Sequence, residues 1–457
     1  MIIDKPNKER ELRLSFDEID IGYSMAEAIK EAKRCLNCRQ PLCREGCPIN
    51  QAIPQFIQAL AQGNLGQASE IIAEHSNLPA ICGRVCPHEK QCEGHCILSR
   101  KGEPIRVGKL ERFVADFEAE MELTKLPACR QLDQGRVAVI GSGPAGLTIA
   151  GDLAKLCYAV TVYEAQEEPG GLLMYGIPDF RLNKDVVRRE IERIAKLGVQ
   201  FETKTIIGPD LTVDDLFAAG YDAIFIGTGT SLPRKLSIPG EELPGVMQGA
   251  YFLRTMALVN AGKISPKENP ISPGDHVVVI GGGNVALDAA RTALRVGAER
   301  VMVVYRRDEE ALPALKTDYE QAKAEGIEFA WWVAPTRSLG KDQLTGVELE
   351  SVEADEKGEL QKTGQRQTLS AHKAIVAIGQ RPAARIVSTT DGIEVDEQGY
   401  VITRERPYGM TTRKGVFAGG DVVHEPATVV LAMREAQKVA KGIVTYVEAK
   451  RLMEEIG

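Results

Sequence analysis

Residues 136–153 read RVAVIGSGPAGLTIAGDL. Val137 to Ile140 form an apolar run short enough for a buried strand, the turn Gly141-Ser142-Gly143-Pro144-Ala145-Gly146 follows directly, and a helical pattern begins at once. Missing side chains in such a turn let backbone N–H groups and the positive end of a helix approach a pyrophosphate. The next strand, VTVYE, ends in Glu164, 18 residues after Gly146. A carboxylate there can accept hydrogen bonds from an adenosine ribose. Glycines that serve only tight helix–strand packing would not require strand, turn, helix and acid in register.

The same texture recurs at HVVVIGGGNVALDAARTAL, residues 276–294, where Gly281-Gly282-Gly283-Asn284-Val285-Ala286 follows another apolar run. Its next strand, VMVVY, ends in Arg306-Arg307 instead of an acid. Two guanidiniums can hold a 2'-phosphate that a carboxylate would repel, so this turn is expected to take NADPH; the alternative is a solvated basic pair. Past Pro382 the chain reads GVFAGGDVVHEPATVVLAMREAQKVAKGI, another strand, turn and long helix that is expected to return to the first unit. Gly420 and Asp421 in that turn, with Thr428 farther along, favour FAD at the first site, because an aspartate at such a strand end can hold a ribityl hydroxyl. A helix cap is the plain alternative for Asp421.

Before residue 130 the pattern is helical. Ile53, Phe56, Ile57 and Leu60, then Ala68, Ile71 and Ile72, recur at helical spacing on either side of Gly63-Asn64. This helical hairpin separates two cysteine groups, Cys35-x2-Cys38-x4-Cys43-x3-Cys47-Pro48 and Cys82-x3-Cys86-Pro87-x4-Cys92-x3-Cys96. Eight of the ten cysteines fall here, too locally for scattered core use. Structural zinc favours paired short spacings, whereas runs of closely spaced cysteines ending in proline are the iron–sulfur habit. Two [4Fe-4S] clusters are expected, with zinc as the alternative. Cys129 and Cys157 stand apart and read as small buried hydrophobes.

The expected fold class is therefore α/β, with two Rossmann-like dinucleotide-binding domains, one inserted in the other, preceded by an all-helical iron–sulfur domain. The expected boundaries are 1–130 for the helical domain, 131–265 with 383–457 for the FAD domain, and 266–382 for the NADPH domain. VELESVEADEKGELQKTGQRQTLS, residues 347–370, reads as a polar hairpin in the insert.

Lys plus Arg is 56 against 64 for Asp plus Glu, a formal charge of -8, which argues against nucleic acid as a partner. No apolar run approaches the roughly 18 residues of a membrane span, and the N-terminus is charged throughout without a signal core. A cytoplasmic location is expected.

Across nearly the whole chain these residues resemble the small (beta) subunit family of bacterial NADPH-dependent glutamate synthase. The resemblance is carried by CLNCRQPLCREGCP, NLPAICGRVCPHEKQCEGHC, VGKLERF, GSGPAGL, GGLLMYGIPDFRL, GGGNVALDAARTALRVGA, YRRDEEALPA and VFAGGDVV, in that order. It implies that Cys35, Cys38, Cys43 and Cys96 share one cluster, and that Cys47, Cys86 and Cys92 share the other with Glu111 as a non-cysteine ligand. Cys82 is then not a ligand. It also implies that Gly170 to Pro178, including Gly171 and Leu172, runs along the flavin. No catalytic His, Ser or Cys is nominated, because hydride transfer between stacked rings needs alignment more than an acid or base; His88 and His424 stay unassigned.

The implied function is electron input: NADPH is oxidised at FAD, and electrons leave through the clusters to a large catalytic subunit of glutamate synthase alpha type, which makes L-glutamate from glutamine and 2-oxoglutarate. Relatives on the same scaffold include the N-terminal half of dihydropyrimidine dehydrogenase, the large subunit of NADH-dependent ferredoxin:NADP oxidoreductase and sulfide dehydrogenase subunits. A ferredoxin-linked flavoprotein is thus the alternative partner, in a transhydrogenase or sulfide dehydrogenase. A zinc-bearing, non-redox nucleotide-binding module is a third reading.

Overall fold

The computed structural model describes residues 14–121, 129, 131–208, 211–383, 386 and 389–456. Residues 1–13, over which no signal core is read, and the expected boundary at residue 130 lie outside these. The chain forms two compact units, one of Asp20–Met174, Lys184–Leu232 and Arg381–Gly457, the other of Met1–Ile19, Tyr175–Asn183 and Pro233–Gln380.

In the first of these, the helices Ile53–Ala61 and Leu65–His75 form the expected hairpin, with the Asn64 side chain capping the second by accepting from Gln67 N at 3.1 Å. Phe56, Ile57, Leu60, Ala68 and Ile72 turn inward and pack with Leu110 and Val114 of the helix Val107–Met121. Cys92 and Cys96 belong to the same core, so the cysteine loops fold against apolar helix faces and not into solvent.

The unit's seven-stranded sheet runs Thr403–Glu405, Tyr408–Thr411, Val416–Ala418, Ala223–Ile226, Arg136–Ile140, Ala159–Tyr163, Gln200–Glu202. The last five are mutually parallel. Ala223–Ile226 is buried along its whole length, as a central parallel strand covered on both faces must be. The C-terminal segment does return: Val416, Phe417 and Ala418 pair with Ile224, Phe225 and Ile226, and the 28-residue helix Val429–Ile456 packs on the helix Pro144–Lys155.

The other unit holds a five-stranded parallel sheet in the order Val246–Gln248, Lys373–Val376, His276–Ile280, Arg300–Tyr305, Glu328–Trp331. Its first strand precedes residue 266, where the sequence reading begins the second nucleotide domain; three residues are too few to show a strand pattern. Val333–Gly340, Leu344–Ala354 and Leu360–Ser370 form an antiparallel sheet that contains the expected hairpin.

Behind the helix Asn284–Arg295 lies a buried ion cluster. Arg291 and Arg295, both side chains 0 % exposed, each reach Glu325 at 2.7 Å, and their guanidiniums stand 4.8 and 4.0 Å from the Phe180 ring. Arg181 reaches Asp288 at 2.8 Å and Asp318 at 3.0 Å. Burial alone would raise the Glu325 pKa, but the hydrogen bonds and charges of the two arginines outweigh it and hold the group below its ordinary value of 4.5. Because the folded-state pKa is depressed, the cluster is fully stabilising above the unfolded value and loses strength as pH falls through the folded one. Glu325→Ala strands buried positive charge, so it should cost about 3–5 kcal/mol, read as a lower urea midpoint at neutral pH. In that variant the acid-dependent part of the loss should shrink.

Candidate functional site

The first glycine turn is shaped by what surrounds it. Gly141 has φ +97°, and a Cβ on it would lie 2.7 Å from the Gly227 carbonyl oxygen. A Cβ on Gly146 would run into the Gly141 carbonyl. Gly143 differs, because nothing stands within 4 Å of where its Cβ would be. That open space lies at the start of the helix Pro144–Lys155, for which Gly143 is the N-cap and Pro144 the first residue. Free N–H groups and the helix dipole therefore face a gap where an anion can enter.

Other expected residues gather at this turn. A Cβ on Gly171, φ +55°, would lie 2.9 Å from Gly143 Cα, and one on Gly420, φ +75°, would lie 2.9 Å from Ala145 Cβ. Leu172 is 46 % exposed. Glu164 is buried, and its Oε2 accepts from Ser142 N at 3.1 Å and Ser142 Oγ at 2.5 Å while Oε1 accepts from Gln166 N at 2.8 Å. Ser142 Oγ also accepts from Gly170 N at 2.9 Å. Ser142, which no motif position singled out, thus ties the acid to both glycine segments.

Asp421 lies in the short 3-10 turn Gly420–Val422, ahead of the long helix that begins at Val429; it does not cap that helix. Burial raises its pKa, against a backbone hydrogen bond from Ala427. Thr428 does sit at that helix start, its Oγ1 accepting from Leu431 N at 3.4 Å.

The second turn repeats the pattern. Gly281 has φ +141° and a Cβ there would strike the Ala377 carbonyl, a Cβ on Gly282 would lie 2.6 Å from the Tyr305 ring, and Gly283 again faces open space. Asn284 Oδ1 accepts from Leu315 N at 3.1 Å, and Val285 is 44 % exposed. Arg306 and Arg307 follow the strand Arg300–Tyr305 and are exposed.

The eight N-terminal cysteines are free thiols in two groups. Cys35, Cys38, Cys43 and Cys96 line one apolar cavity of about 80 Å³ together with Leu42, Ile53 and Ile57. Burial, then the neighbouring Cys35 and Cys96, push the Cys43 thiol up to about 11. In the second group burial pushes Cys47 up to about 12, and the neighbouring Glu111 adds to the effect. Cys86 is raised by a hydrogen bond with Cys82, by burial and by Glu111 and Cys92. Cys92 is raised by burial, Glu93, Cys47 and Glu111.

Glu111 is 7 % exposed, its Oε1 has no hydrogen-bond partner, and burial lifts its pKa to about 8. A buried carboxyl oxygen without a partner among thiols that burial keeps protonated fits a metal centre, which would draw off those protons and satisfy the oxygen. Among the described residues no three His, Cys, Asp or Glu side chains converge as the ligands of one ion would.

Cys82 is 2 % exposed and its Sγ lies 3.6 Å from Met433 Sδ. His88 is half-buried, desolvation lowers its pKa to about 4, and its Nε2 has no hydrogen-bond partner. His424 stands 3.4 Å from Glu435. The reading of Cys129 and Cys157 as separate buried hydrophobes is corrected: they form a disulfide. Cys157 follows the helix Pro144–Lys155 with φ +66°, a turn that carries its side chain toward the segment before the first strand. No helix among the described residues is long and apolar enough to cross a membrane.

Comparison with known proteins agrees with this anatomy. Residues 12–123 match the family model of dihydropyrimidine dehydrogenase domain II with a 4Fe-4S cluster, and residues 135–436 match that of pyridine nucleotide-disulphide oxidoreductases. The glutamate synthase [NADPH] small chain of Escherichia coli strain K12 is 34% identical, over 98% of this chain and 97% of its own. Its counterpart in Azospirillum brasilense is 34% identical, over 98% and 94%. Among solved structures, Mycobacterium tuberculosis FprA in complex with NADPH aligns with a TM-score of 0.59 at 20% identity, over 70% of this chain and 86% of its own, a likeness of fold. Iron–sulfur segment, paired nucleotide folds and end-to-end identity agree: the chain belongs to the family of the NADPH-dependent glutamate synthase small chains, flavin and iron–sulfur oxidoreductases.

Proposed function

We propose that this chain is the NADPH-oxidising electron-input subunit of a cytoplasmic glutamate synthase, delivering electrons to a large catalytic subunit that forms L-glutamate. The observation that carries the reading is the pairing of two glycine turns, each with one glycine facing open space, Gly143 and Gly283, with two groups of free cysteines in one chain. FAD at the first turn would supply the conversion of a two-electron hydride donor into single electrons for two [4Fe-4S] clusters.

The residues supply position and charge. Gly141 to Gly146 give the flavin nucleotide's pyrophosphate a helix start, Glu164 holds its ribose, and Gly171, Leu172, Gly420, Asp421 and Thr428 border the rest. Gly281, Gly283, Asn284 and Val285 do the same for NADPH, whose 2'-phosphate Arg306 and Arg307 hold. Cys35, Cys38, Cys43 and Cys96 form one cage; Cys47, Cys86, Cys92 and Glu111 form the other.

Anaerobic affinity purification from the native cells tests the partner: a large amidotransferase-type subunit should co-purify in equal amount, and a small ferredoxin-type flavoprotein in its place would reassign the acceptor. Replacing Arg306 with Glu and Arg307 with Gln should raise KM for NADPH at least tenfold, about 1.4 kcal/mol, and leave the NADH value nearly unchanged; an unaltered NADPH preference would remove the 2'-phosphate assignment. Glu111→Ala should keep FAD bound and alter the EPR signal of one centre, whereas two unaltered signals would show that this carboxyl is not a ligand.

A further inference from the structure

Cys82 is the one thiol of the eight that the two four-membered cages leave over. It precedes Cys86 by one helical turn, Cys86 N donating to Cys82 O at 3.2 Å at the end of the helix Pro79–Val85, so the two side chains share a face. Both are buried, at 2 % and 9 % exposure, and Glu111, whose Oε1 has no hydrogen-bond partner, is an electrostatic neighbour of Cys86. The Cys82 Sγ has one proton to give; it lies 3.6 Å from Met433 Sδ, on the helix Val429–Ile456, and is also within hydrogen-bonding reach of the Cys86 thiol.

A thioether is a weak acceptor, whereas a metal-bound thiolate is anionic and a better one. Once Cys86 is a ligand, the stronger acceptor lies on the same helix face as the donor. Hydrogen bonds to ligand sulfurs are among the levers that set iron–sulfur potentials, because they stabilise the extra negative charge of the reduced state. We propose that Cys82 is a positioning residue of the second cage, its S–H donating to the Cys86 sulfur and raising that centre's reduction potential. Met433 competes for the same proton and thereby moderates the effect. The inference rests on the two-cage reading above.

The test is an EPR-monitored redox titration of the anaerobically purified full chain, with iron and acid-labile sulfide measured on the same samples, for wild type, Cys82→Ala, Cys82→Ser and Met433→Leu. All four should carry the same iron. The second centre's midpoint should move to more negative potential in Cys82→Ala, recover in part in Cys82→Ser, whose hydroxyl also donates, and move the opposite way in Met433→Leu. Loss of about half the iron in Cys82→Ala and Cys82→Ser would make Cys82 a ligand and overturn the proposal. Full iron with an unmoved midpoint in both would overturn it as well. Iron for one centre only in the wild type would instead refute the two-cage reading itself.

Discussion

The backbone ladder between Ala223–Ile226 and Val416–Ala418 is the contact on which the flavin half of the molecule depends. It joins segments about 190 residues apart, and only when it forms does Gly420 reach Ala145 at the first glycine turn. Gly420 at φ +75° packs where a Cβ would overlap Ala145, so the chain must turn there in the left-handed region that glycine tolerates. Asp421 and the start of the helix Val429–Ile456 are placed by the same turn. Closing the sheet and assembling the candidate flavin site are thus one event.

The cysteine segment obeys a different constraint. Burial raises the Cys43 and Cys47 thiols and lifts Glu111 to about 8, so at neutral pH these groups are held in forms that suit neither a solvated surface nor a catalytic nucleophile. Such a cost is tolerable where metal binding supplies the compensating charge. The core that creates this environment is the helical hairpin itself: Phe56, Ile57 and Leu60 cover the loops that carry Cys92 and Cys96.

Much of this was legible in the sequence for steric reasons. Only glycine satisfies Gly141, Gly146 and Gly281, where a Cβ would meet a carbonyl, so these positions announce themselves. The division of the cysteines into two sets came from family resemblance, because spacing alone does not say which thiols meet in space. What stayed hidden joins distant residues without a pattern: Ser142 with Glu164, Cys129 with Cys157, and Cys82 with Met433. The strand Val246–Gln248 was invisible for want of length.

The proposed role has one chain carry electrons from NADPH through a flavin to two iron–sulfur centres. An anaerobic titration of the isolated chain with NADPH, followed by visible absorption, tests it most directly. A flavin takes two electrons and each cluster one, about four in all. Bleaching should continue past the first equivalent of NADPH, with iron–sulfur absorption falling after or alongside the flavin bands. Bleaching of the flavin alone, complete at one equivalent and leaving no further absorbance to lose with added dithionite, would contradict it.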